Sequence, residues 1–182
     1  MTSSCSEETF AHQEAVRYFS DLYDNHKAAL FSLAIAILGN KADAEDVLQI
    51  VFEKVWRDRA NWPQVLQWRP WLLHITRNSC LNQLKRVMRS KRREESVAED
   101  YYFLEPRSSM DSNKVDQLHH ILRQLDEPSR SLVLLKLVQE LTFEEIGQVL
   151  RIPASTVSTR YYETIKRLRA LWQKMENQEE RI

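Results

Sequence analysis

Apolar residues recur every three or four positions along most of this chain, the spacing that gives an α-helix one apolar face. From Glu14 to Leu38 the stripe runs through Val16, Phe19, Leu22, Tyr23, Leu30, Phe31, Ala34, Ile37 and Leu38. Gly39-Asn40 ends it, with Gly placed for a left-handed cap. Residues 1 to about 10 lack the period and read as a disordered polar tail. A second helix follows, with Asp43 as its expected N-cap and Glu45 and Asp46 in a first turn whose dipole favours acids. Its apolar stripe is Val47, Leu48, Val51, Phe52, Val55 and Trp56; Asp46, Gln49, Ile50, Glu53, Lys54 and Arg57 face the other way. Asn61-Trp62-Pro63 breaks the pattern, and a short loop leads to Trp68.

A third long helix opens at Arg69-Pro70-Trp71, with Pro in the first turn where no N–H is needed. Trp71, Leu72, Ile75, Leu81 and Leu84 lie toward one side; Arg77, Asn78, Asn82, Lys85, Arg86 and Arg89 lie elsewhere on the surface. Trp62, Trp68 and Trp71 come just before this basic helix or at its start. Rings for stacking beside cations for phosphates would suit single-stranded or distorted nucleic acid. Taken singly, each Trp is better accounted for by burial in the core, because aromatic side chains mostly serve burial. Residues 96–114 lose the helical period, contain Pro106 and are rich in Ser and acids, the composition of a linker. Tyr101-Tyr102-Phe103-Leu104 inside it suggests a docking element.

Helical periodicity returns from Val115 to Leu125, and Asp126-Glu127-Pro128 restarts a helix filled by Leu132, Val133, Leu135, Leu137 and Val138. The stretch Leu141 to Arg169 then reads as a helix-turn-helix. Thr142 with Glu145 three residues on is a capping box. Ile146, Val149 and Leu150 give a short helix its apolar face, and Arg151-Ile152-Pro153 stops it. Gly147 is the small residue needed where the two helices touch. Four positions later Arg151 stands where such turns usually have Gly for a positive φ, which implies strain of about 1 kcal/mol. The following helix buries Val157, Tyr161, Ile165, Leu168 and Leu171. Its other face carries Ser155, Thr156, Ser158, Thr159, Arg160, Tyr162, Lys166 and Arg167, hydroxyls and cations suited to base edges and phosphates in a major groove.

The fold expected is therefore all-α: two small helical domains, 10–95 and 115–175, joined by a flexible acidic linker over 96–114, with the helix-turn-helix in the second. Two Gly among 182 residues argue against a β or phosphate-loop architecture. Lys and Arg total 26, as do Asp and Glu, so no global field draws the chain to nucleic acid. The distribution is uneven, however. Between Gln67 and Ala98 eight basic residues meet two acidic ones, and between Glu99 and Pro128 three basic residues meet seven acidic ones. Cys5 and Cys80 form no metal or redox pattern and fit a reducing cytoplasm. The start of the chain lacks the basic-then-apolar order of a signal peptide, and the apolar run near Leu30 to Leu38 is too short to span a bilayer. His12, His26, His74, His119 and His120 have no metal spacing, and no Ser or Cys sits in a nucleophile motif. No catalytic residues, metal or cofactor are expected.

The order of these segments resembles the sigma-70 family of bacterial RNA polymerase sigma factors, in its extracytoplasmic-function (ECF) group. DAEDVLQIVFEKVW at Asp43 to Trp56 is similar to the region whose exposed face binds the clamp helices of the β′ subunit. WRPWLLHITRNSCLNQLKR at Trp68 to Arg86 is similar to the helix that opens and reads the minus-ten element. Leu125 to Arg169 is similar to the region that reads the minus-thirty-five element. By this resemblance Asp46, Gln49 and Glu53 would contact core polymerase. Trp68, Trp71, Arg77, Asn78, Asn82, Lys85, Arg86 and Arg89 would face minus-ten DNA, and the loop from Asn61 to Trp68 would shape the pocket for a flipped base. Arg160 and its neighbours on the second helix would contact the minus-thirty-five duplex. The resemblance implies core polymerase (β′ and β subunits) and promoter DNA as partners, an anti-sigma factor as inhibitor, a cytoplasmic location and no membrane insertion.

Some positions depart from the family pattern. Ile50 stands where an acid is usual, Asn82 replaces a usual Asp, Ser158 a frequent Lys and Glu163 a frequent cation. Loss of one cation and reversal of another should weaken phosphate binding. These departures keep open a sigma mimic that sequesters an anti-sigma factor without touching DNA. A stand-alone helix-turn-helix regulator is a further alternative, although it would leave the clamp-binding-like helix without a purpose.

Overall fold

The computed structural model describes residues 3–93, 121–122 and 124–179, with side chains at 12–89, 121–122 and 124–174. The described residues form six α-helices and one 3-10 helix and contain no strand. They are α1 (Ser3–Leu38), α2 (Lys41–Arg57), the 3-10 helix (Arg59–Gln64), α3 (Trp68–Arg93), α4 (Glu127–Leu137), α5 (Phe143–Leu150) and α6 (Ala154–Glu179). The expected linker, including Tyr101-Leu104, and the helical pattern over 115–120 lie outside the described residues. Ile121 and Leu122 are helical and buried.

α1 packs on α2 and α3, and α2 on α3, which closes a three-helix unit around Leu33, Ala34, Val47, Val51, Val55, Leu72 and Leu73. α1 begins at Ser3 rather than near Glu14. No Gly or Pro interrupts residues 3–14, so nothing in the backbone stops the helix from running outward. Gly39 has φ 78°, as expected of the cap after α1. The cap of α2 differs from expectation: it is Asn40, whose side chain accepts the backbone N–H of Asp43, placing Asp43 inside the first turn. Either residue type can cap, and only the backbone geometry selects one. The expected break at Asn61-Trp62-Pro63 is a 3-10 helix containing Pro63, followed by a short connection through Val65, Leu66 and Gln67.

The C-terminal unit packs α4 and α5 against α6 around Leu132, Leu135, Leu141, Ile146, Val149 and Val157. Leu137 and Val138, expected to fill α4, are 59% and 39% exposed. They end the helix, where the turn toward Glu140 (φ 53°) swings them outward. Asp126 sits at the N-cap of α4 but makes no side-chain cap bond. The capping box of α5 is complete: Thr142 accepts from the Glu145 N–H, and Glu145 accepts from the Thr142 N–H at 2.8 Å. Arg151 is left-handed (φ 56°, ψ 46°), as its place in the turn required. A Cβ on Gly147 would stand 2.7 Å from the Ile152 carbonyl oxygen, closer than real Cβ contacts.

Candidate nucleic-acid and polymerase interface

The outer face of α2 is as the sequence implied. Asp46, Gln49 and Glu53 are all exposed, and Ile50 beside them is 46% exposed. Glu53 accepts from Arg57 at 3.1 Å, an exposed i,i+4 pair that holds the carboxylate along the helix. Next to this row lies a groove of about 890 Å³ between α1 and α2. Its floor is Phe19, Tyr23, Phe31, Leu48, Phe52 and Trp56, and its rim includes Gln49 and Glu53. The sequence pattern assigned these aromatics to the core. Tyr23, 40% exposed, is the residue whose polar tip could have flagged an open groove.

The tryptophans ahead of α3 form one ring cluster. Trp62 meets Trp56, Trp68 and the stacked Phe19, and Trp68 meets Trp71 edge-on with centroids 5.4 Å apart. Trp62 donates its indole N–H to the Val55 carbonyl at 3.0 Å, which ties the 3-10 helix to α2. Trp68 and Trp71 keep partial exposure, so they combine packing with an open edge. Trp71 also lines a cavity of about 550 Å³ with Asn61, Gln64, Leu66, Gln67 and His74. Leu66, at 95% exposure, stands fully clear of the protein at its mouth.

Along α3, Asn82, Lys85, Arg86 and Arg89 are exposed. Arg77 and Asn78 are not free. Arg77 donates from Nε to Ser131 Oγ at 2.8 Å and from Nη2 to Glu127 at 2.5 Å, with the two charged side chains 13% and 31% exposed. Asn78 donates to His74 Nε2 at 3.0 Å, and His74 Nδ1 donates to the Val149 carbonyl at 2.6 Å. That chain of bonds fixes His74 as the Nδ1–H tautomer and satisfies a carbonyl in the last turn of α5. Arg69 donates to the Gln139 carbonyl at 2.7 Å, while buried Gln139 donates to the Ala29 carbonyl at 3.0 Å. Burial and the Arg69 guanidinium both lower the pKa of His26. Burial raises the Cys80 thiol to about 12, which makes it an inert packing residue.

On α6, Ser155, Thr159, Arg160, Tyr162, Lys166 and Arg167 are exposed, and Thr156 and Ser158 are half-buried. Ser158 and Thr159 donate their hydroxyls to the Ser155 carbonyl at 2.9 and 3.0 Å. Arg167 reaches the Gln124 carbonyl at 3.2 Å. Val157 is wholly buried, whereas Tyr161, Ile165, Leu168 and Leu171 are only half covered. Among the described residues no cluster of His, Cys, Asp or Glu could hold a metal ion, and no helix is long and apolar enough to cross a membrane.

Comparison with known proteins fits this geometry. Residues 22–90 match the family model for sigma-70 region 2, and residues 116–168 match that for sigma-70 region 4. The chain is similar to the ECF RNA polymerase sigma factor SigE of Mycolicibacterium smegmatis, 30% identical over 86% of this chain and 62% of that one. It spans less than two thirds of that relative's length. It is also similar to the ECF sigma factor SigW of Bacillus subtilis, 24% identical over 83% of this chain and 87% of that one. A solved structure of the sigma factor RpoE in complex with the anti-sigma factor NepR, from Bartonella quintana, shares the fold with TM-score 0.67 and 19% identity, over 86% of this chain and 98% of that one. With its two matched regions in the same order as the α2–α3 and α4–α6 units, the chain belongs to the sigma-70 family of RNA polymerase sigma factors, in its ECF group.

Proposed function

We propose that this protein is a non-enzymatic specificity subunit that binds core RNA polymerase, directs it to a two-part promoter and promotes melting of the start region. The observation that carries this is the pairing of two surfaces on one chain: an exposed acid-amide row on α2 and a helix-turn-helix whose second helix exposes hydroxyls and cations. Asp46, Gln49 and Glu53 would contact the β′ clamp helices, and the apolar groove beside them gives that contact a desolvated centre. Trp68, Trp71, Arg77, Asn78, Asn82, Lys85, Arg86 and Arg89 would face the minus-ten strand. The cavity under Leu66 would accept a base that has left the stack. Ser155, Thr156, Ser158, Thr159, Arg160, Tyr162, Lys166 and Arg167 would dock on the minus-thirty-five duplex. The functional units would be 10–95 and 115–175, acting in the cytoplasm where the polymerase is. RpoE is bound by an anti-sigma factor, which supports an inhibitor of that class for this chain as well.

Co-purification with core polymerase tests the reading, with affinity for minus-thirty-five duplex measured alongside. Stoichiometric complex formation is expected, and failure to bind active core would reject it. The sigma-mimic alternative draws on Ser158, whose hydroxyl turns back to its own helix, and on exposed Glu163. A mimic would capture an anti-sigma factor while ignoring both core and DNA.

A further inference from the structure

Tyr18 belongs neither to the apolar stripe of α1 nor to the surfaces assigned to polymerase or DNA. It lies between Arg17 and Phe19 and is 47% exposed. Its ring nonetheless joins the tryptophan cluster. Its centroid is 5.4 Å from that of Trp62 at a tilt of 41°, and 6.0 Å from that of Trp68 at a tilt of 58°. Trp68 in turn meets Trp71 edge-on, and Trp71 lines the cavity at the Asn61–Trp68 connection. Tyr18, Trp68 and Trp71 are therefore consecutive rings on a path that starts at the cavity and ends on α1. None of the three is buried. The path has a fixed support, because Trp62 is tied to the Val55 carbonyl and Phe19 lies parallel to it at 5°. Rings held in this way lose little freedom on meeting a base.

We propose that Tyr18 is a further residue that binds the unwound strand: a base beyond the one held in the cavity stacks on its ring, so that the strand leaves the cavity over Trp68 toward α1. The proposal rests on the sigma-factor reading and extends its DNA path onto a helix to which that reading gave no DNA contact. Covering Trp62 and Trp68 uses only part of Tyr18, and nearly half of its surface stays open. Among the described residues none bonds its hydroxyl, so the ring rather than the phenol is the group on offer. Every base has a π-face, so such a contact holds a melted strand without adding a sequence requirement. Arg17 and Arg69, next in the chain to Tyr18 and Trp68, are exposed and supply cations for the phosphates.

The test uses the full chain bound to core polymerase, with core alone as the control. The probe is a fluorescent, randomised single-stranded DNA in which iodouracil replaces thymine. Irradiation joins the halogenated base to the aromatic side chains that it touches. Cross-linked peptides containing Tyr18 are expected alongside those containing Trp68 or Trp71. Tyr18→Leu keeps an apolar cover over the tryptophans and removes the ring. It should weaken binding of the same DNA by about tenfold, equivalent to about 1.4 kcal/mol. Tyr18→Phe keeps the ring and should bind as the parent does. Both variants should keep their thermal transition and their affinity for core, which separates a lost DNA contact from a loosened fold. Cross-links at Trp68 or Trp71 with none at Tyr18 would overturn the proposal without recourse to any variant. So would unchanged DNA affinity in a folded Tyr18→Leu chain, or an equal loss in Tyr18→Phe. Failure of the sigma-factor reading has its own signature, a parent chain that does not bind core, and the proposal would fall with it.

Discussion

Replacing Gly147 by Ala tests the packing of the helix-turn-helix at its tightest point. The added Cβ would lie 2.7 Å from the Ile152 carbonyl oxygen, and 3.5 Å from the backbone nitrogen of Ala154. Both neighbours are backbone, and the turn is pinned because the Ile152 N–H donates to the Gly147 carbonyl at 3.0 Å. The clash therefore cannot be relieved by a side-chain rotation. Overpacking of this kind costs about 1–3 kcal/mol. Alanine recovers about 1 kcal/mol of that through its better helix propensity. A net loss of about 1 kcal/mol is expected, or about 2–4 °C in Tm for a chain of this size. Valine should cost more, since its branches meet the same carbonyl. Affinity for a minus-thirty-five duplex should fall with the stability, because this contact sets the angle between α5 and α6. The assay is denaturant unfolding together with duplex binding by anisotropy. An alanine variant as stable as the parent, or more stable by the propensity gain, would refute the reasoning.

Other expectations follow from the same geometry. Arg160→Ala should weaken the minus-thirty-five duplex and lower the salt slope by about one contact, leaving core binding intact, whereas Asp46→Arg should do the reverse; equal loss of both activities in either variant would contradict the assignment of surfaces. Thr142→Ala removes the hydroxyl half of a complete capping box and should destabilise the C-terminal unit by about 1 kcal/mol in denaturant titrations. His26 is held below its ordinary pKa of 6.5 by burial and by Arg69, so the unfolded chain binds the proton more readily. Stability should therefore fall as pH drops below about 6.5, and His26→Asn should flatten that part of the stability profile.

Local chemistry was legible in the sequence wherever one residue type meets a backbone requirement. Thr142 with Glu145, the left-handed Arg151 and the small Gly147 each follow from a constraint confined to a few residues. Choices between equivalent residues were not legible. Asn40 and Asp43 can both cap, and only the path of the chain after Gly39 decides between them. Periodicity also misplaced Leu137 and Val138, because it cannot say at which residue a helix leaves its core. Long-range polar contacts were invisible. Ser131, Gln139 and His74 carry no motif, yet they join positions 50 or more residues apart and close the face that Arg77 and Asn78 would present. The aromatic floor of the α1–α2 groove was read as core because burial and a docking groove use the same side chains.

The central claim, that these surfaces serve transcription initiation, is tested most directly by run-off transcription with purified core polymerase on fragments of the source genome. Discrete transcripts that appear only when the protein is added, and that vanish with Asp46→Arg, are the predicted result. Active core that binds the protein yet yields no fragment-specific transcript, or core whose output is the same with and without it, would contradict the account.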